Sequence, residues 1–189
     1  MNNTQDNRSK ILDQALKLFT ASGYDAVGVQ EIVGAAGVTK PTLYHYFGSK
    51  RGLLDALLGE RLRVLQQKID QATYFEGDLL RNLRKLAGVY FDFAFQQPLF
   101  YQFLLSTQYA PKNSDSYQAA EIWNVAVLAT IMQLFEQALP HMQGRCRRYA
   151  VTFIGMVNTY ITLALNDHLR LNDEVVYSAV HQFMHGIYS

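Results

Sequence analysis

Residues 37–50 read GVTKPTLYHYFGSK, and they place Thr42, Tyr44, His45 and Tyr46 on about two helical turns with Lys50 just beyond. Hydroxyls, an imidazole and an ammonium in that order suit contacts to base edges, thymine methyls and phosphates. At about 100° per residue, Leu43, Tyr46 and Phe47 gather on one side, Pro41, Thr42 and His45 lie opposite, and Tyr44 sits on the flank. A helix this short is not stable alone. Leu43 and Phe47 are therefore expected to anchor it, with Tyr46 also turned to the core, leaving the polar face outward. Thr39 is the expected N-cap, and Pro41 falls in the first turn, where a missing N–H does no harm. Lys50 opens the next helix, where free backbone N–H groups assist phosphate binding.

Two earlier helices must hold this one. From Ser9 to Ser22, Ile11, Leu12, Ala15, Leu16 and Phe19 recur at helical spacing, and Gly23 follows as a C-cap. A second helix over Val29–Ala36 presents Val29, Ile32 and Val33 on one face and stops at Gly37. A helix, a Gly-Val turn and a short helix with an outward polar face are the parts of a helix-turn-helix. After Gly48, Ser49 is placed to cap a longer helix through Leu53, Leu57, Leu62 and Ile69. Beyond residue 73 the pattern predicts long helices at about 78–97, 98–108, 116–139, 144–169 and 173–187, separated by Gly77, Pro98, Pro111, Pro140 and Leu171-Asn172. No period-2 pattern competes, so the fold class is all-α.

The segments ALKLFTASGYDAV, EIVGAAGVTKPTLYHYFGSK and RGLLDALL resemble the DNA-binding domain of the tetracycline-repressor (TetR) family of bacterial transcriptional regulators over residues 9–58. The resemblance implies that Gln30, Lys40, Pro41, Thr42 and Tyr44 face bases or nearby sugar-phosphate, and that His45, Tyr46 and Lys50 contact phosphates; Thr39 completes the expected DNA-binding set. It implies two domains: a helix-turn-helix head at residues 1–52 and a helical ligand-binding and dimerisation domain at 53–189, joined by a connector helix at about 50–72. Family members usually carry Thr or Ser where this chain has Val27 and Gly28. The loss of that capping hydroxyl is worth about 0.5–2 kcal/mol, less if Gly28 is itself the cap.

The rest of the chain is less explicit. The segment VYFDFAFQQPLFYQFLLSTQY is dense in aromatics, which reads as core or as the lining of a small-molecule pocket. Tyr90, Phe93, Tyr101, Trp123, Asn124, Asn158 and Thr162 are the candidate ligand-binding residues. Asn158, Thr162 and Asn166 form a polar stripe that lines either a pocket, the favoured reading, or a subunit seam. Its lack of charge points to a neutral or aromatic effector. His181 and His185 stand four apart, a chelating spacing, but the family's pairing of its last two helices between subunits makes them interface histidines, and no metal or cofactor is expected.

Seventeen Lys and Arg against sixteen Asp and Glu exclude a polycation, so a nucleic-acid surface has to be local. Residues 1–51 carry six of the basic and four of the acidic groups. The single cysteine, Cys146, excludes an intrachain disulfide. No signal peptide, membrane span, phosphate loop, nucleophile elbow or His–carboxylate clustering is found, so the expectation is a cytoplasmic non-enzyme. Its partners would be a palindromic double-stranded DNA operator, a small-molecule effector and a second copy of itself. It would act as a repressor released by the effector. The alternative is a helical small-molecule-binding protein or enzyme with a vestigial head.

Overall fold

A computed structural model of the chain describes residues 2–186. Its elements are α1 (Asn2–Ser22), α2 (Val29–Ala36), α3 (Lys40–Phe47), α4 (Lys50–Thr73), α5 (Leu79–Gln96), α6 (Pro98–Thr107), α7 (Asp115–Ala138), a 3₁₀ helix (Pro140–Arg145), α8 (Cys146–Leu165) and α9 (Asp173–His185). No described residue lies in a strand, so the chain is all-α as the periodicity predicts.

The predicted breakers fall in connections or open elements, and two ends move. α1 begins at Asn2 instead of Ser9: Lys10 pairs with Asp6 at 2.6 Å and Arg8 with Glu60 of α4, so polar residues extend the helix beyond its apolar stripe. α8 stops at Leu165, four residues early. The Asn166 side chain and backbone both donate to the Thr162 carbonyl, at 2.8 and 3.2 Å, and Asp167 turns left-handed at φ 58°, a conformation Asp tolerates better than most residues.

The chain divides into two compact units. The first comprises residues up to Leu62 together with Leu99–Trp123; the second comprises Arg63–Pro98 and residues from Asn124 onward. α4 and α7 each run from the first into the second.

In the first unit, α1, α2 and α3 pack together. Ile11, Phe19, Ile32, Leu43, Leu53 and Leu54 are fully buried there. α6 and the start of α7 complete this core. The Phe103 ring lies 5.8 Å from Phe19, and the Thr20 hydroxyl donates to the Leu99 carbonyl at 3.2 Å. Arg61 pairs with Asp13 at 3.3 Å and spreads its guanidinium 5.4 Å from the Phe100 ring centre.

In the second unit, α5 packs on α8 and α9. Its entry is fixed by side chains: Asp78 accepts from Arg81 N–H at 2.9 Å, and the buried Asn82 amide donates to the carbonyls of Ala72 and Tyr74 at 2.7 and 2.8 Å, closing the end of α4. Phe183 of α9 sits 5.5 Å from Phe153 and 6.1 Å from Phe135, and Asn172 caps α9 through Val175 N–H at 2.9 Å. Cys146 is buried, which pushes its thiol up and makes it a packing residue. Among the described residues no helix is long and apolar enough to cross a membrane.

Leu43 is completely buried beneath α3. Leu43→Ala is expected to cost about 2–5 kcal/mol in urea unfolding. A variant of unchanged stability would mean the helix is anchored elsewhere.

Candidate nucleic-acid interface

The helix-turn-helix is built by its caps. Gly28 is the N-cap of α2, extended at φ −88° and ψ 154°; no side chain caps the helix, and its carbonyl accepts from Glu31 and Ile32 N–H groups at 3.1 and 3.2 Å. Gly28 thus fills the capping place itself, where Gly costs only tenths of a kcal/mol relative to Ser or Thr. At the other end Gly37 is left-handed, at φ 65° and ψ 33°. Gly37 N–H donates to Gly34 and Val38 N–H to Val33, at 3.3 and 3.0 Å, which is a Schellman motif.

α3 then starts as predicted. Thr39 Oγ1 accepts from Thr42 N–H at 3.4 Å, and the two threonine hydroxyls are 2.9 Å apart. Gly48, at φ 72°, ends the helix with its N–H on the Tyr44 carbonyl at 2.8 Å. Ser49 caps α4, accepting from Gly52 N–H at 2.9 Å. Gly52 is the feature that sequence reasoning missed: a Cβ there would stand 2.0 Å from the Phe47 carbonyl oxygen, so no side chain fits where α4 crosses the end of α3.

Leu43 and Phe47 point inward, and Arg8 lies over the Phe47 ring at 5.4 Å. The opposite face is open. Gln30, Thr39, Lys40, Pro41, Tyr44 and His45 are exposed, and Thr42 is half-buried. Tyr46 departs from the core position expected of it. It is half-buried, its ring 5.3 Å from His45 and 6.1 Å from Phe47. Leu43 and Phe47, four apart, already fill the groove, and Tyr46 lies about 60° round the helix from Leu43, at the rim.

Lys50 is half-buried, its ammonium 4.1 Å from the centre of the Tyr24 ring. Desolvation pulls its pKa down, opposed by the charges of Asp25 and Asp115. The Tyr24 hydroxyl donates to Asp115 at 3.2 Å; burial first, then Asp115, pushes this phenol well above the ordinary tyrosine range. Arg51 donates to Asp55 at 2.9 Å and to Asp115 at 3.1 Å. Asp115 falls in the connection between the helices expected at about 98–108 and 116–139, and no local signal links it to residues 64 and 91 positions away.

The candidate ligand residues divide between the units. Tyr101 and Trp123 belong to the first, Tyr90, Phe93, Asn124, Asn158 and Thr162 to the second. Tyr90, Phe93 and Tyr101 are buried, Trp123, Asn124 and Asn158 half-buried, and Thr162 exposed. The polar stripe on α8 bonds along its own helix, Thr162 Oγ1 donating to the Asn158 carbonyl at 2.8 Å. The Tyr90 hydroxyl and the Trp123 indole N–H are buried without a hydrogen-bond partner. The second unit also carries a cleft of about 610 Å³ between α5 and the start of α9, with Arg81, Arg84 and Lys85 on its rim.

A capped two-turn helix presenting polar side chains beside a second helix defines a helix-turn-helix DNA-binding regulator. Residues 11–57 match the model of the bacterial regulatory proteins of the tetR family. The transcriptional activator FasR of Mycolicibacterium smegmatis is 25% identical over 96% of this chain and 82% of its own. The transcriptional repressor KstR of the same organism is 33% identical over 44% of this chain and 41% of its own length. The fold is shared with the transcriptional regulator FadR from Bacillus subtilis, solved in complex with stearoyl-CoA. The two superpose with a TM-score of 0.74 at 17% identity, over 95% of this chain and 98% of that one.

Two outcomes follow from this geometry. Gly52→Ala forces the Phe47 carbonyl and the new methyl apart, so both the melting temperature and DNA affinity are expected to fall; unchanged values would mean α4 can shift freely against α3. Because the folded state holds the Tyr24 phenol protonated, its contribution to stability is complete below the ordinary tyrosine pKa of about 10 and is lost as pH rises through the raised folded value. Denaturation series from pH 8 to 11 should show stability declining above about pH 10, less steeply in Tyr24→Phe.

Proposed function

We propose that the protein acts in the cytoplasm as a homodimeric, effector-responsive regulator that reads a palindromic operator through α3. The observation that carries this reading is the exposed face of α3: Lys40, Pro41, Tyr44 and His45 stand outward on a helix locked by Leu43 and Phe47. Gln30, exposed on α2, and Lys50, opening α4, extend the same recognition set. One such head buries little groove. Two heads spaced by one turn of DNA read a palindrome.

The effector is a largely apolar molecule with a hydrogen-bonding group. Buried aromatics dominate the middle of the chain, and the Tyr90 hydroxyl offers an unused donor inside the second unit. The stearoyl-CoA held by the Bacillus subtilis FadR supports an acyl chain as one such ligand. Binding that favours one arrangement of the body over another changes DNA affinity by the ratio of effector affinities for the two states. Release of a repressor is the simplest outcome. A second reading, activation, is favoured by the match to FasR, an activator, along nearly the whole chain.

Selection of the purified protein against a random DNA pool tests the first part. A palindromic winner is expected, with affinity falling steeply as salt rises. Tyr44→Ala should weaken binding of that winner by about tenfold, and Lys50→Ala should lower the salt slope by about one, neither unfolding the protein. No enriched sequence, with and without long-chain acyl-CoA, would overturn the reading.

A further inference from the structure

We propose that Asp115, the first residue of α7, is a positioning residue for the DNA contact made by Lys50. The inference rests on the functional reading above, in which Lys50 meets a phosphate. Asp115 lies outside the helix-turn-helix, yet its carboxylate divides between two residues that bracket Lys50. Oδ2 accepts from the Tyr24 hydroxyl at 3.2 Å, and Oδ1 accepts from Arg51 Nη1 at 3.1 Å. The Tyr24 ring is the surface on which the Lys50 ammonium rests at 4.1 Å, and Arg51 is the next residue along the chain. Tyr24 is buried, its ring edge-on to Phe19 at 5.0 Å, and the hydroxyl bond to Asp115 adds a hold on the ring that seats Lys50.

Two simpler roles for Asp115 fit less well. It is not needed as a helix cap: Ser114 takes that place, its hydroxyl accepting from Tyr117 N–H at 3.2 Å, and both Ser114 and Ser116 are buried. Arg51 does not need it for neutralisation, because Asp55 already pairs with Nε at 2.9 Å. As a bare negative charge, Asp115 would only repel a phosphate backbone. Its removal would then tighten DNA binding, whereas the positioning role requires the opposite sign.

The arrangement gives α7 a hold on the DNA-contacting cation through Tyr24 and Arg51. The helix continues from Asp115 to Ala138, and its residues from Asn124 onward belong to the second compact unit. A displacement of α7 along its axis moves the carboxylate, and with it the phenol and the guanidinium. Lys50 then loses its orientation although no residue of α1–α3 has changed partner.

The test is operator binding by fluorescence anisotropy across a salt series, with melting temperatures in parallel, for the full-length protein and its Asp115→Ala, Tyr24→Phe, Lys50→Ala and Asp115→Ala/Lys50→Ala variants. Asp115→Ala and Tyr24→Phe are expected to weaken binding by about tenfold. Each should also lower the salt slope by about one, as Lys50→Ala does, and the double variant should bind like Lys50→Ala alone. Tyr24→Phe keeps the ring and loses only the hydroxyl, so it carries the test if Asp115→Ala unfolds. Wild-type or tighter binding by both single variants, or additive losses in the double variant, would overturn the proposal while leaving the DNA reading intact. Failure of the wild-type protein to bind DNA at all would overturn both.

Discussion

The burial of Leu43 and Phe47 is the constraint on which the DNA-binding surface depends. An eight-residue helix cannot form by local hydrogen bonding alone, because nucleation costs more than two turns recover. α3 exists because these two side chains, four apart, drop into the groove of α1 and α2 and fix its rotation. That rotation decides which residues are left outside. Thr39 and Gly48 then define where the helix starts and stops, and Gly52 lets α4 pass close enough to brace its end. Each cap is a small term, about a kcal/mol. Together they remove the freedom that would otherwise blur the outward face.

A nearly neutral protein can read a polyanion only if its few cations are well placed. Here the cations of the head are not equivalent. Lys40 is exposed on α3, whereas Arg51 is committed to Asp55 and Asp115 and Arg61 pairs with Asp13. Lys50 stands between these cases, half-buried over an aromatic ring, without an ion pair among the described contacts. Cation–π support holds a charge in place without neutralising it. This leaves Lys50 oriented yet still able to meet a phosphate, which a carboxylate partner would prevent.

The second unit is built on a different principle. Its connections are closed by side-chain amides and carboxylates, notably Asn82 on the end of α4 and Asn172 at the start of α9. Against that background the unpaired Tyr90 hydroxyl stands out, since a buried donor left unmade costs about 1–3 kcal/mol. The effector site proposed above would use that donor.

The sequence by itself determined the helix-turn-helix almost to the residue. The caps Thr39, Ser49 and Gly37, the anchors Leu43 and Phe47, and the all-α class are local or periodic properties, and such properties are written in the spacing of neighbours along the chain. Tyr46 escaped because a helical wheel gives direction but not how much room the groove has. The polar stripe on α8 escaped because Thr and Asn can satisfy themselves on their own helix, and spacing cannot distinguish that from lining a cavity. What only the tertiary structure decided is the company the head keeps: Phe103 against Phe19, Leu99 beneath Thr20, and Asp115 between Tyr24 and Arg51. These pairs are about 60 to 90 residues apart in the chain. Their meeting follows from how α6 and α7 fold back on the core, and no periodicity within a helix encodes a return of that length.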